Sequence, residues 1–295
     1  MQKLTEGIRA ITTRRDYYLC PLFRGGLGNL MFEYASVYGM AKTTNLKTAI
    51  ASSSDVFKTF HLSVEPISNL TICVRARTVV EKHPCAFDIE NVKFRNDKRK
   101  DYIHKSYLQS WKYFSHIEQD IRKQFTFQNH IVQKAITAIR LAVHSKRTPF
   151  SKNITVVGIH VRRGDYLKPH NVNYGYQLAN KDYIDKAMKY FRERHKNVKF
   201  LAFTNPNKDD MKWCKDNIKD PDVSFVEGNP REVDLCALSM CNHTIMTVGS
   251  FGWWGSYLAN GTTIYFKNVA REGSKLRNDF SKDMSDYFYP GWIGM

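Results

Sequence analysis

Metal-site spacings are missing from this 295-residue chain. Its six cysteines, Cys20, Cys73, Cys85, Cys214, Cys236 and Cys241, never fall as CxxC, which removes a zinc ribbon or a thioredoxin-type redox site. No run of about 18 apolar residues occurs, and the N-terminus lacks the apolar core of a signal peptide. The chain as given therefore reads as soluble. Internal repeats and low-complexity tracts are also absent. Acidic residues are few, 28 Asp and Glu against 45 Lys and Arg, leaving a formal charge of +17. Such a field attracts anions, whether nucleic acid, an acidic membrane surface or a phosphate-bearing substrate. The basic residues lie in short groups, such as Lys98-Arg99-Lys100 and Arg192-Arg194-Lys196, and form no long basic tail. A nucleic-acid function thus rests on charge alone, with no recognised module behind it.

What is present suits a packed α/β protein. A hydrophobic share of 42% and an aromatic share of 13% can offset the ordering entropy of one large domain or two lobes. The second half alternates strands and helices, opening on the β-branched run from Ile154 to Val161. Tyr183, Ile184, Ala187, Met188 and Phe191 then recur at helical spacing and predict a helix of about three turns. Strands follow at Val198 to Thr204, Val223 to Val226, Thr244 to Val248 and Thr263 to Phe266. Helices are expected between them, at Asp209 to Asn217, Arg231 to Met240 and Trp253 to Ala259. This alternation implies a mostly parallel sheet covered on both faces. The first half opens with a strand at Tyr17 to Phe23, a Gly-rich turn and a helix from Asn29 to Lys42. Residues 61–105 read as loops and short strands, and Ile117 to Val143 as one long helix. The polar segment Ser145 to Asn153 is the expected boundary between lobes 1–148 and 149–295.

Three segments carry chemistry. Arg24-Gly25-Gly26-Leu27-Gly28-Asn29 lies between a strand and a helix, where glycines permit close approach of a ligand and helix N-termini attract anions. It is neither GxGxxG nor a Walker motif. His160-Val161-Arg162-Arg163-Gly164-Asp165-Tyr166 stands at the C-terminal end of a strand, the place where open α/β sheets bind ligands. An arginine there can neutralise a diphosphate by bidentate bonds, or form a structural pair with Asp165. Gly249-Ser250-Phe251-Gly252 opens a helix with a hydroxyl and backbone N–H groups suited to phosphate oxygens. Trp253, Trp254 and Tyr257 behind it read as core. Cys73 and Cys85 can close a short loop in an oxidising compartment, and buried free thiols are the alternative. Sequons occur at Asn69, Asn153, Asn242 and Asn260, the last two within the expected folded core.

Taken in order, these segments resemble the α-1,2-fucosyltransferase family. The resemblance rests on Gly25 to Asn29 followed by Glu33-Tyr34-Ala35, on Tyr107-Leu108-Gln109-Ser110, on Gly158 to Tyr166, on Trp213-Cys214, and on Cys241 through Gly252. Leu30, where relatives often have Gln, and Trp253-Trp254-Gly255 depart from the pattern. The resemblance implies a GT-B fold with two Rossmann-like lobes, the acceptor on the first and GDP-fucose on the second. It places Arg162 on the β-phosphate, and His160 and Asp234 on guanine, as in the related α-1,6- and protein O-fucosyltransferases. Gly28, Asn29, Thr247, Ser250, Phe251 and Gly252 complete the implied donor site. A β-galactoside would be the acceptor, and the Golgi lumen the location, with a membrane anchor and stem preceding this chain.

An α-linkage made from a β-linked donor inverts the anomeric carbon, so direct displacement through an oxocarbenium-like state is expected, with Arg162 stabilising the departing charge. The one Asp-x-Asp, at Asp220-Pro221-Asp222, reads as a turn, and catalysis without a metal or other cofactor is expected. Asp165 is the first choice for the base, Glu33 and His170 the alternatives, and a salt-bridge role for Asp165 stays open. A catalytically silent nucleotide-sugar or glycan-binding module is the competing function.

Overall fold

The computed structural model describes residues 15–44, 46–68, 71–92, 100–144 and 154–295. The expected boundary segment, the sequons at Asn69 and Asn153, and Lys98 with Arg99 lie outside these residues. Two wholly parallel sheets organise the chain. The first runs β2-β1-β4-β3, from β1 (Tyr18–Pro21), β2 (Lys47–Thr48), β3 (Arg77–Val79) and β4 (Tyr102–His104). Its helices are α1 (Leu27–Thr44), α2 (Asp55–Thr59) and α3 (Thr71–Val74), followed by α4 (Glu118–Gln124) and α5 (Asn129–His144). The second sheet runs β10-β9-β8-β5-β6-β7. It is built from β5 (Thr155–Val161), β6 (Val198–Thr204), β7 (Val223–Phe225), β8 (His243–Met246), β9 (Thr263–Tyr265) and β10 (Ile293–Gly294). The connecting helices are α6 (Pro169–Tyr174), α7 (Lys181–Arg194), α8 (Lys208–Asn217), α9 (Arg231–Ser239), α10 (Ser250–Ala259) and α11 (Lys275–Asn278).

The local causes are legible. In α7 the stripe Tyr183, Ile184, Ala187, Met188 and Phe191 is buried, and Asn180 caps the helix by accepting from the Tyr183 N–H. By contrast α1 has no polar face, because it is wedged between the first sheet and α10 and buries nearly every side chain. The expected single helix over 117–143 is two helices. Phe60 pairs with Phe127 in an antiparallel bridge, and the Gln128 N–H donates to the Thr59 carbonyl, so the chain leaves the helix after Gln124. A pairing 67 residues away in sequence overrides local helix preference.

One core crosses from sheet to sheet. Phe32 of α1 lies 4.6 Å from the Trp253 ring and 5.0 Å from Trp254, while Phe114 stacks on Trp254 at 5.6 Å. Trp253 and Trp254 are fully buried, and the Trp253 Nε1–H donates to the Tyr287 carbonyl. Each such side chain contributes about 1.5–3 kcal/mol from burial. The disulfide pairing corrects the expectation. Cys73, on α3 beneath β1, bonds Cys20, with a Cα separation of 5.8 Å. Cys85 is instead a buried thiol whose backbone forms a β-bridge with Phe280. Cys214, Cys236 and Cys241 are buried thiols too.

Candidate functional site

In the second sheet the chain winds outward from β5 to β6 and β7, then returns to the other side of β5 through β8. A reversal of this kind opens a crevice at the strand ends. There the Thr247 N–H donates to the His160 carbonyl at 3.1 Å, and the Arg162 N–H donates to Thr247 Oγ1 at 2.9 Å. The Arg162 guanidinium donates to Asn205 Oδ1 and Asp165 Oδ1, both at 2.5 Å, and lies over the Tyr166 ring. Asn205 is held in turn by buried Asp210, which also accepts from the Gly164 N–H. Arg162 is thus fixed in direction from both sides. Arg163 goes elsewhere, stacking 4.1 Å from the Trp213 ring centre.

Beside Arg162 the N-termini of α1 and α10 meet. A Cβ on Gly28 would stand 2.6 Å from the Phe251 nitrogen, so only glycine allows this approach. Across the contact Ser250 Oγ donates to Asn29 Oδ1 at 2.5 Å, and Gln109 Nε2 donates to the same oxygen at 2.9 Å. Gly249 precedes α10 at φ 97° and, being glycine, brings no side chain to cap the helix. Uncapped first-turn amides and the positive ends of the two helix dipoles favour an anion here.

The imidazole of His160 is buried and stacked on Phe251 at 5.1 Å. Burial, with the Arg162 charge, pushes its pKa down to about 3, so the ring is neutral. Its Nδ1 has no hydrogen-bond partner among the described residues and faces Gly252, where a Cβ would intrude to 2.6 Å. Asp234, in the first turn of α9, accepts from Asn229 at 3.1 Å, and burial pushes its carboxyl up to about 7. Nearby Arg231 pairs with Asp55 of α2, joining the rims of the cleft.

These groups surround a cleft of about 980 Å³ between the sheets. Gly28, Asn29, His160, Arg162, Asp165, Asp234, Ser250 and Phe251 all line it. Thr247 and Gly252 stand behind the wall: buried Thr247 holds the Arg162 backbone, and Gly252 makes room for His160. Asp165 is committed to Arg162, the structural role its spacing left open. Glu33 is fully buried, accepts from the Arg24 N–H, and is raised to about 9 by burial. It braces the glycine turn and does not line the cleft. His170 does line it. Asp220 and Asp222 both engage Arg192.

Asn205, Tyr174, Tyr176 and Asp279 were not singled out from sequence, yet all line the cleft, as does Tyr166 of the arginine segment. Asn205 follows a parallel strand, so the strand-end rule that found Arg162 would have found it too. Asp279 follows the four-residue α11 in an irregular stretch, where no periodicity marks it.

A family model described as glycosyl transferase family 11 matches residues 9–295. The chain is 33% identical over 282 residues to galactoside 2-alpha-L-fucosyltransferase SEC1 of Bos taurus, covering 92% of this chain and 72% of that one. Galactoside alpha-(1,2)-fucosyltransferase 2 of Sus scrofa is 31% identical over 285 residues, with 92% and 78% covered. Among solved structures, NodZ, an alpha-1,6-fucosyltransferase from Bradyrhizobium, soaked with GDP-fucose, is similar at a TM-score of 0.52. At 14% identity, over 85% of this chain and 95% of that one, the likeness concerns the GT-B fold.

Proposed function

Since the chain belongs to glycosyl transferase family 11, we propose that it transfers L-fucose from GDP-β-L-fucose to the 2-hydroxyl of a β-galactoside, with inversion and without a metal. The observation that carries this reading is the meeting of Arg162 with two helix N-termini at the floor of the cleft. A diphosphate seated there has its growing negative charge met by a guanidinium and by backbone donors, each such donor being worth about 10²–10³-fold in rate. Asn205 and Asp165 hold the guanidinium fork before the substrate arrives, so little reorganisation is left for the reaction itself. Asp234 presents a carboxylate to the N1–H and exocyclic amine of guanine, and His160 with Phe251 supports the donor from the β5 side. The named activities of the relatives agree with this choice of sugar and linkage.

Residence in an oxidising compartment such as the Golgi lumen is part of the proposal, and the Cys20–Cys73 bond supports it. Among the described residues no helix is long and apolar enough to cross a membrane.

The deciding experiment supplies GDP-fucose and lactose with excess EDTA, measures released GDP, and determines the linkage and anomeric form of the product. An α-1,2-fucosylated galactoside is expected. GDP binding without turnover would identify a silent binding module, and turnover restored only by Mn²⁺ or Mg²⁺ would overturn the metal-free assignment.

A further inference from the structure

Among the described residues, three carboxylates line the cleft: Asp165, Asp234 and Asp279. Asp165 is taken up by its ion pair with Arg162, and Asp234 lies beside Asn229 and Arg231 at the other rim. Among the described residues no cation is bonded to Asp279. Its Oδ2 accepts from the Tyr174 hydroxyl at 2.5 Å, and Oδ1 has no hydrogen-bond partner among the described residues.

The contacts leading to Asp279 start at the phosphate floor. The Tyr166 hydroxyl lies 3.3 Å from where a Gly249 Cβ would stand, and its ring carries the Arg162 guanidinium. Tyr166 stacks on Tyr176 at 4.2 Å, Tyr176 neighbours Tyr174 at 6.2 Å, and Tyr174 bonds Asp279. A wall of tyrosine rings ending in a half-buried carboxylate suits a neutral sugar, whose C–H face rests on rings while a hydroxyl meets an acceptor. The Cys85 N–H donates to the Asp279 carbonyl, tying this segment to the first half of the chain.

We propose that Asp279 is the general base of the transfer, an inference that rests on the reaction proposed above. The acceptor oxygen forms a bond to the anomeric carbon of fucose, and the bond from that carbon to the β-phosphate oxygen breaks, its electron pair leaving with GDP. The acceptor proton passes to the Asp279 carboxylate. Tyr174 of α6 is the positioning residue. The other titratable groups facing Asp279 are His83, Glu81 and Cys85, from the segment packed against it. Burial raises the Asp279 carboxyl above its ordinary range, while the Tyr174 hydrogen bond and the nearby His83 oppose the shift. Tyr174, pushed up to about 12 chiefly by burial, stays a hydroxyl donor.

The test uses the whole chain with Asp279→Asn, Tyr174→Phe and His170→Gln, measuring fucosyl transfer to lactose against pH and GDP affinity by calorimetry. For Asp279→Asn at saturating GDP-fucose, kcat should fall by about 10²-fold or more, GDP affinity at a fixed pH should stay within about twofold, and the fall in kcat at acid pH should disappear. Tyr174→Phe removes a bond that favours the charged form, so the acid limb should move to higher pH while the plateau rate is largely kept. His170→Gln should keep the acid limb. If Asp279→Asn transfers fucose at near-normal rates, or if the limb vanishes with His170→Gln, the assignment is wrong. Loss of GDP binding in Asp279→Asn overturns it as well, by showing a scaffolding role. A parent chain that binds GDP yet transfers nothing indicts the reaction, and not the choice of base.

Discussion

Burial keeps Asp234 and Glu33 from ordinary ionisation, with consequences for ligand binding in the first case and for folding stability in the second. In the proposed reaction Asp234 must be charged to accept both guanine donors, yet burial pushes its carboxyl up to about 7. Binding GDP therefore requires a proton to leave at neutral pH. The ratio of GDP to UDP affinity should rise about tenfold between pH 6 and pH 8, and Asp234→Asn should flatten that rise. Calorimetric titrations of both nucleotides at the two pH values check this. Glu33 is raised by burial too, from 4.5 to about 9, and here the consequence falls on folding. Between those values the unfolded chain releases a proton that the folded chain keeps, so folding stability contributed by Glu33 is lost as pH rises through that window. Glu33→Gln keeps an oxygen for the Arg24 N–H and removes the penalty. Thermal melts should show the variant more stable by about 1–3 kcal/mol at pH 7.5, with the difference shrinking toward pH 4.5. An unchanged gap across that range would mean Glu33 is ionised in the fold.

Helix α1 shapes the floor of the cleft by starting where α10 starts. Gly28→Ala would press a methyl group into the Ser250–Phe251 peptide, whose atoms stand at 2.6 Å, and backbone cannot yield as a flexible side chain does. The helices must then separate, costing about 1–3 kcal/mol and parting Asn29 from Ser250. Both Tm and GDP affinity should fall in this variant, whereas Gly26→Ala, with nothing within 4 Å of its Cβ, should leave Tm nearly unchanged. Such elements were legible in sequence to differing depths. Arg162 and Ser250 were found because parallel strands deliver ligand groups at their C-terminal ends, a local rule. Thr247 was placed with the donor residues, yet its hydroxyl serves the Arg162 N–H, a relation that exists only once β5 and β8 are paired. The break between α4 and α5 depends on Phe60, and the partner of Cys73 on β1 lying above α3. Both are pairings between distant segments, on which local propensity is silent. Asp279 lies beyond reach for a related reason, since its backbone is held by Cys85 and no repeat pattern leads to it.

The whole chain carries one bond that depends on redox conditions and four buried thiols. Denatured without reductant, the protein should take up four alkyl groups by mass spectrometry, and six after reduction. Peptide mapping should join Cys20 to Cys73, and any bridge involving Cys85 would contradict the structure. Reduction should lower Tm, since the bond closes a separation of 53 residues, with about 2–4 kcal/mol at stake. The core that runs from Phe32 through Trp253 and Trp254 to Phe114 bears on how such enzymes can be recombined. Two sheets suggest two interchangeable halves, one for each substrate, to be shuffled among relatives when a new acceptor is sought. But α5, which precedes the linking segment, packs on α9, and the tail after α11 bonds back to Ser110 and Lys112. A chimera joined at residues 145–153 would therefore mismatch rings and backbone along its deepest seam, so acceptor preference is better altered by grafting cleft-lining segments than by exchanging halves.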